Sequence, residues 1–249
     1  MSRKRFTKLF QLALSIPIRL ILILFSGFIV TGKKNMIGID RSRGVILAAN
    51  HNSQLDSIFL SCSIPLLSSL GPVYFVSLEK EKYQSFPVGR YFYGGRLFEL
   101  LGAYSIKQGL KDYAITLSKH IELLVKGKTV AIYPEGARVP GYMLGEAHGG
   151  VAYLAKVSGA PIIPVAITGD EDIHWHQFFT FQHKIKLIYG TPIYFEDIDE
   201  SDLPEEKRYH IASQKVMRAI EELLKDIWDK ARIPKPMVVT KTTRQSDSL

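Results

Sequence analysis

From Gly44 onward, short strand-like apolar runs alternate with stretches of helical periodicity, and this alternation restricts the fold more tightly than any other feature of the chain. The runs are Val45–Ala49, Val73–Val76, Ala103–Ile106, Thr129–Tyr133, Ile162–Ile167 and Ile185–Tyr189. The helical stretches are Leu55–Ile64, Val88–Leu101, Leu110–Val125, Gly150–Ser158 and Glu205–Lys230. Strands separated by helices cannot be joined by tight hairpins; they run parallel, and a parallel sheet must be covered on both faces. The expected fold class is therefore α/β, a single domain with a mostly parallel central sheet flanked by helices. In the last helix Ile211, Val216, Ile220, Leu223, Leu224 and Ile227 share one face, which is expected to pack on the core. Pro161 and Pro164 interrupt the fifth run and predict a distorted strand mouth there.

Ahead of this domain, Leu9 to Thr31 is almost wholly apolar, and about 20 such residues suffice to cross a bilayer. Its polar residues are not scattered. Wound as a helix, Lys4, Lys8, Gln11, Ser15, Arg19 and Ser26 form one stripe within an arc of roughly 80°. A simple crossing would put Arg19 near mid-bilayer at a cost of ~2.5–3.5 kcal/mol, whereas a helix lying in the interface or packed on the domain keeps it wet. The stripe thus favours a monotopic anchor over a single crossing, and Pro17 predicts a kink that would allow two short helices. A buried core helix is the plain alternative; the length and the flanking Lys33, Lys34, Arg41 and Arg43 speak against it. A cleaved signal peptide would share the basic start but show a shorter apolar core and a small-residue cleavage site. The expected division is residues 1–35 as a basic and apolar membrane-anchoring segment, 36–232 as the α/β domain and 233–249 as a mobile basic tail carrying Lys235, Lys241 and Arg244.

Composition removes several function classes. The single cysteine, Cys62, excludes an intramolecular disulfide and a cysteine-based metal site, and suits a reduced, cytoplasm-facing domain. The chain carries 32 Lys and Arg against 24 Asp and Glu, a net charge of +8. That surplus fits nucleic acid, an anionic membrane surface or phosphorylated substrates equally well, so the position of the charges must decide.

Four segments can carry chemistry. The strand Val45–Ala49 runs into Asn50-His51-Asn52-Ser53-Gln54-Leu55-Asp56, and Asp56 in the following helical turn can reach back to the His51 ring. A carboxylate that fixes the tautomer of a histidine and stabilises its imidazolium makes it a general base. Tyr133-Pro134-Glu135-Gly136-Ala137-Arg138 also follows a strand, leaving Glu135 and Arg138 at the same sheet edge; a turn whose charges pair with each other is the bland alternative. Gly102-Ala103-Tyr104-Ser105-Ile106-Lys107 ends a strand on a cation that could receive a phosphate, as could nearby Arg96. The fourth segment is Ala160-Pro161-Ile162-Ile163-Pro164-Val165. His174-x-His176 beside Glu171 and Asp172 lacks a further spaced metal ligand and reads as a polar loop. Ser77-x-x-Lys80 has no companion motifs, and Gly-x-Ser-x-Gly, Walker and dinucleotide loops are missing.

Taken in order, these four blocks resemble the pattern of the glycerolipid acyltransferases, whose best-known members are the 1-acylglycerol-3-phosphate acyltransferases with their HxxxxD motif. The resemblance spans about Gly44 to Gly169. It implies that His51 is the base that deprotonates an acceptor hydroxyl and Asp56 its orienting partner. It further implies that Glu135 and Gly136 position the acceptor, and that Arg138 and Lys107 bind its phosphate. Lys107 stands where the family usually has Arg, a point charge in place of a bidentate fork, and Ala137 where it usually has Thr, which removes a hydroxyl. The implied reaction moves a fatty acyl group from acyl-CoA or acyl-carrier protein to a lysophospholipid, foremost 1-acylglycerol 3-phosphate, giving phosphatidate. Other lyso-lipids, glycerol 3-phosphate, or a non-catalytic lipid-binding role are the alternatives. No metal, cofactor or nucleic-acid partner is expected. The expected partners are the membrane lipid bilayer, the lyso-lipid acceptor and the acyl donor, with the protein on the membrane and its site facing the cytoplasm.

Overall fold

The computed structural model describes residues 3–40, 42–66, 68–78, 101–106, 112–139, 141–170, 184–200 and 202–231. The expected helix Val88–Leu101 apart from its last residue, Arg96, Lys107, the His174-x-His176 segment and the basic tail lie outside the described residues.

All six apolar runs form strands, with ends within two residues of those expected, and a seventh strand precedes them. The strands are β1 (Ile29–Thr31), β2 (Val45–Ala49), β3 (Val73–Leu78), β4 (Ala103–Ile106), β5 (Thr129–Ile132), β6 (Ile162–Thr168) and β7 (Lys186–Tyr189). They build one sheet in the order β1-β7-β6-β2-β5-β3-β4, parallel throughout except for the antiparallel β6–β7 pair. Every residue of β2, β5 and β6 is buried, as the centre of a doubly covered sheet requires.

The period-two alternation of β2 divides the core. Val45, Leu47 and Ala49 join Phe59 and Leu60 of α2 (Asp56–Ser63) and Leu22 of α1 (Arg3–Ser26) on one face. Ile46 and Ala48 join residues of α4 (Ser118–Val125), α5 (Gly150–Ser158) and α7 (Glu205–Ala231) on the other. A short helix, α3 (Tyr113–Thr116), precedes α4, and another, α6 (Phe195–Ile198), precedes α7. The expected single helix over Leu110–Val125 is instead two, broken at Leu117, with Asp112 accepting the backbone N–H groups of Ala114 and Ile115 as the cap of α3. The last helix packs as expected, with Val216, Ile220 and Leu224 buried.

The two prolines leave the β2 pairing of β6 unbroken, but the antiparallel register on its other side slips by one residue at Pro164, between the Ile162–Ile193 bridge and the Val165–Tyr189 pair. Pro164 pairs in register with Ala48 of β2, and the ladder to β7 begins one residue later at Val165 and Tyr189. The residue without an N–H thus falls just outside the antiparallel ladder, which is why the strand tolerates it.

The amino-terminal stretch departs from expectation in two ways. Pro17 lies inside α1 without dividing it, and Ile29–Thr31, within the apolar stretch, pairs with β7 as an edge strand. Gly32 then turns the chain at φ 74°, where a Cβ would sit 2.0 Å from the Tyr189 carbonyl oxygen, so only glycine fits.

More consequential is how α1 is seated. Gln11, Arg19 and Ser26 of its polar stripe face the domain. Gln11 Nε2 donates to the carbonyls of Val73 and Leu101 (2.8 and 2.6 Å) while its Oε1 accepts the Val73 N–H at 3.1 Å, and Arg19 Nη1 donates to the Ile64 carbonyl at 3.4 Å. Thr7, Leu22 and Ser26 are buried. On the outer side Leu9, Leu14, Ile16, Leu20, Ile21, Ile23 and Leu24 are between 38% and 61% exposed. Residues Thr7–Ser26 are long and apolar enough to cross a membrane by length and composition. The contacts along the helix nevertheless tie it to the domain surface.

Candidate active site

The sheet order creates a crevice. From β2 the chain crosses to β3 beyond β5, whereas from β5 it crosses to β6 on the opposite side of β2. Neighbouring strands whose connections leave in opposite directions open a gap at their carboxyl ends, where ligands of such sheets bind. His51 stands two residues past β2 and Glu135 three past β5, so both border this gap.

His51 Nδ1 lies 2.6 Å from Asp56 Oδ2. Asp56 is fully buried in the first turn of α2 and accepts three more hydrogen bonds: from the N–H of Asn52 (2.8 Å), the N–H of Ser53 (3.1 Å) and the Ser53 hydroxyl (2.9 Å). With a carboxylate on Nδ1, that nitrogen carries the proton and Nε2 keeps its lone pair. Burial and the nearby Arg138 guanidinium lower the His51 pKa to about 4, so the imidazole is neutral at physiological pH. The ring stacks on Tyr133, centroids 4.1 Å apart and planes 15° from parallel, and the Tyr133 hydroxyl is tied to Ser57 Oγ at 2.9 Å. A neutral imidazole, oriented from behind and still 21% exposed, can take a proton from a hydroxyl presented at Nε2.

Glu135 is only 5% exposed. Its Oε2 accepts the His51 backbone N–H and its Oε1 that of Gly145, both at 2.7 Å. The loop is drawn in further by the Val139 N–H on the His51 carbonyl (2.8 Å). Glu135 therefore holds the backbone of the histidine as well as the loop beyond Arg138. Gly136 adopts φ 65° at the surface, and a Cβ there would stand 2.8 Å from His148 Cδ2. Arg138 is exposed at the rim. Among the described residues no group of three or more His, Cys, Asp or Glu is arranged to hold a metal ion.

The family described as Acyltransferase has a sequence pattern that matches residues 28–168, from just before β1 to the end of β6 and across both His51 and Glu135. The chain belongs to the acyltransferase family. It is 25% identical over 175 residues, 65% of its length, to a probable 1-acyl-sn-glycerol-3-phosphate acyltransferase of Mycoplasma pneumoniae. Over 128 residues, 51% of its length, it is 31% identical to the lyso-ornithine lipid O-acyltransferase of Pseudomonas aeruginosa. The chain spans 62% and 44% of the lengths of these two relatives. The crystal structure of the 1-acyl-sn-glycerophosphate (LPA) acyltransferase PlsC from Thermotoga maritima superposes with a TM-score of 0.51 at 23% identity, covering 89% of this chain and 78% of that one, a likeness of fold.

In this acyltransferase-family chain the site also holds residues that sequence reasoning passed over. The Asn50 side chain bridges β2 to β6, donating to the Ile167 carbonyl and accepting the Ile167 N–H, each at 2.8 Å. Asn52 Nδ2 donates to Asp170 Oδ1 at 3.2 Å. Asp170, just past β6, is 1% exposed, and burial beside Asp56 raises its pKa to about 8. Its signal was its place behind a parallel strand end, the feature that drew attention to His51 and Glu135.

Proposed function

We propose that this protein is a membrane-surface O-acyltransferase that moves a fatty acyl group from acyl-CoA or acyl-carrier protein to the hydroxyl of a lysophospholipid, foremost 1-acylglycerol 3-phosphate, giving phosphatidate. The observation that carries this reading is the His51–Asp56 pair at 2.6 Å in the crevice between β2 and β5. His51 Nε2 takes the proton of the acceptor hydroxyl as its oxygen attacks the thioester carbonyl. The new C–O bond forms, the C–S bond breaks, and the imidazolium returns the proton to the departing thiolate. Asp56 stabilises the imidazolium meanwhile, and no acyl-enzyme is formed. Because a thioester is already activated, holding the two reactants together supplies much of the acceleration.

Arg138 at the rim, with Lys107 after β4, would bind the acceptor phosphate, and Gly136 lets the acceptor approach the backbone. Glu135 acts on the acceptor indirectly by fixing His51 and the Arg138 loop. The outward apolar face of α1 would lie within one leaflet, beside a lyso-lipid acceptor, with the basic surplus drawn to anionic headgroups. Residues 1–35 thus serve as the anchoring segment, with β1 as its link to the sheet, ahead of the catalytic domain 36–232 and the tail 233–249. The reduced, buried Cys62 suits a site on the cytoplasmic side.

A second acceptor, lyso-ornithine lipid, is favoured by the 31% identity to the Pseudomonas enzyme. The test is purified protein on anionic vesicles, given labelled acyl-CoA or acyl-carrier protein and a panel of lyso-lipids, with products resolved by mass. Fastest acylation of 1-acylglycerol 3-phosphate is expected. Faster acylation of lyso-ornithine lipid selects the second acceptor, and lipid binding without any product contradicts acyl transfer altogether.

A further inference from the structure

Asp170 lies two residues beyond the segment that matches the family pattern, in the innermost layer of the site. It follows Gly169, whose φ of 88° and approach to Lys184 (2.1 Å from an added Cβ to the carbonyl oxygen) leave room for glycine only. The turn aims the next side chain back toward the carboxyl end of β2. There Asn52 joins the two acids: its side chain donates to Asp170 Oδ1 and its backbone N–H to Asp56 Oδ2. The other oxygen, Asp170 Oδ2, is buried and receives no hydrogen bond from any described residue.

A buried carboxylate oxygen with no donor carries an uncompensated charge, a costly state that a carboxyl group escapes by keeping its proton. A protonated Oδ2 becomes a donor, and the acceptor beside it is Asp56. We infer that Asp170 is a positioning residue of the proposed reaction, a neutral carboxylic acid that donates its proton to Asp56 and so keeps that carboxylate ionised and turned toward His51 Nδ1. The inference rests on the proposed acyl transfer for its kinetic consequence alone.

Among the described residues, the groups facing this acid are Asp56, Ser53 and Asn52 from the turn into α2 and its first residue, His51 beside them, and Tyr133 beyond β5. None is a cation at neutral pH that would hold Asp170 ionised. Arg138 faces His51 and lowers its basicity, whereas an ionised Asp170 would raise it. The protonated acid therefore lets Asp56 orient His51 without adding a second negative charge. As pH rises through about 8 the proton is lost, two buried carboxylates face each other, and the orientation of Asp56 fails.

The test uses the full-length wild type, Asp170→Asn and Asp170→Ala, first without substrate. Infrared spectra at pH 7 are expected to show a protonated-carboxyl carbonyl band in the wild type that disappears above pH 9 and is absent from Asp170→Asn. An identical band in both proteins, or no band in either, overturns the inference whatever the enzymatic activity. Acyl transfer is then followed against pH. Asp170→Ala is expected to lower kcat at pH 7 by roughly 10- to 100-fold with KM within about twofold, a part of the ~10²–10⁴-fold that general acid–base catalysis supplies. Asp170→Asn, which keeps a donor, is expected to recover most of that loss and to lack the decline near pH 8. Asn no better than Ala, or an Asn profile with the same decline, overturns it. Absence of transfer by the wild type would instead count against the proposed function, while the infrared result still decides the state of Asp170.

Discussion

His51 is held by four separate contacts, one from the first turn of α2 and three from the segment that follows β5. Asp56 takes its Nδ1, Tyr133 covers its ring, Glu135 accepts its N–H and Val139 donates to its carbonyl. Such over-determination is what a general base needs, since proton transfer tolerates little error in position. Glu135→Gln tests the backbone half of it. A glutamine presents a donor to one of two amide N–H groups that now meet carboxylate oxygens, leaving a buried donor unsatisfied at a cost of ~1–3 kcal/mol. The variant is expected to unfold at lower denaturant and to lose kcat more than it raises KM; a purely acceptor-binding role would raise KM alone. At this scale the sequence was partly legible. His51 and Asp56, five positions apart, share one strand-to-helix turn, so local geometry announces them. Glu135 was readable as a site residue but not as a clamp on His51, because its partners lie 84 and 10 positions away. Asp170 was not singled out at all, because only the β2–β6 pairing carries it to Asp56.

At the scale of elements, α1 inverts the usual arrangement of an amphipathic helix. Gln11 and Arg19 satisfy backbone groups of the domain, at Val73, Leu101 and Ile64, and Leu22 enters the core, while seven other large apolar residues, Leu20 and Leu24 among them, face outward. Fully burying each such side chain is worth ~1.5–3 kcal/mol, so two of them matter measurably to membrane affinity. Leu20→Lys together with Leu24→Lys is expected to weaken binding to anionic vesicles by at least about tenfold, the equivalent of ~1.4 kcal/mol, with an unchanged circular dichroism spectrum and melting point. Unchanged vesicle binding would show that the membrane contact lies elsewhere. Periodicity revealed the polar stripe, but a stripe only separates two faces; which one meets the protein depends on what surface is offered. Here Val73 at the amino end of β3 and Leu101, two residues before β4, offer backbone groups that suit an amide side chain. The edge strand β1 was hidden for a related reason: three residues inside a longer apolar stretch give no alternation of their own.

Across the whole molecule, four buried titratable groups, two histidines and two acids, shape stability against pH. His51 and His120 are both held near pKa 4 by burial, below the unfolded value of 6.5, so the unfolded chain binds more protons and stability rises from about pH 4 to 6.5. Asp170, raised to about 8, works in the opposite direction, because the folded state keeps a proton that the unfolded chain releases near pH 3.8. Asp56, also raised by burial, adds to that opposition. Above pH 6.5 the histidines no longer contribute, while Asp170 still holds a proton that the unfolded chain has released. Chemical denaturation is expected to show stability falling by about 1.4 kcal/mol per pH unit from pH 6.5 toward pH 8 on account of Asp170. A flat or rising curve over that interval would contradict the buried neutral acid.

The architecture itself was the most legible feature. Alternating runs dictated a parallel sheet, and the apolar composition of the central three strands dictated that it be covered twice. What alternation does not encode is strand order, and it is the order that opens the crevice between β2 and β5. The basic surplus is likewise placed by the fold: Arg138 stands at the rim of the His51 site, and Lys33 and Lys34 follow α1 and β1. The most direct test of the proposed base compares wild type with His51→Ala on anionic vesicles, each given labelled acyl-CoA or acyl-carrier protein and 1-acylglycerol 3-phosphate. The variant is expected to bind the vesicles and melt like the wild type while its rate of phosphatidate formation falls by at least about 10²-fold. Undiminished turnover by His51→Ala would contradict the mechanism.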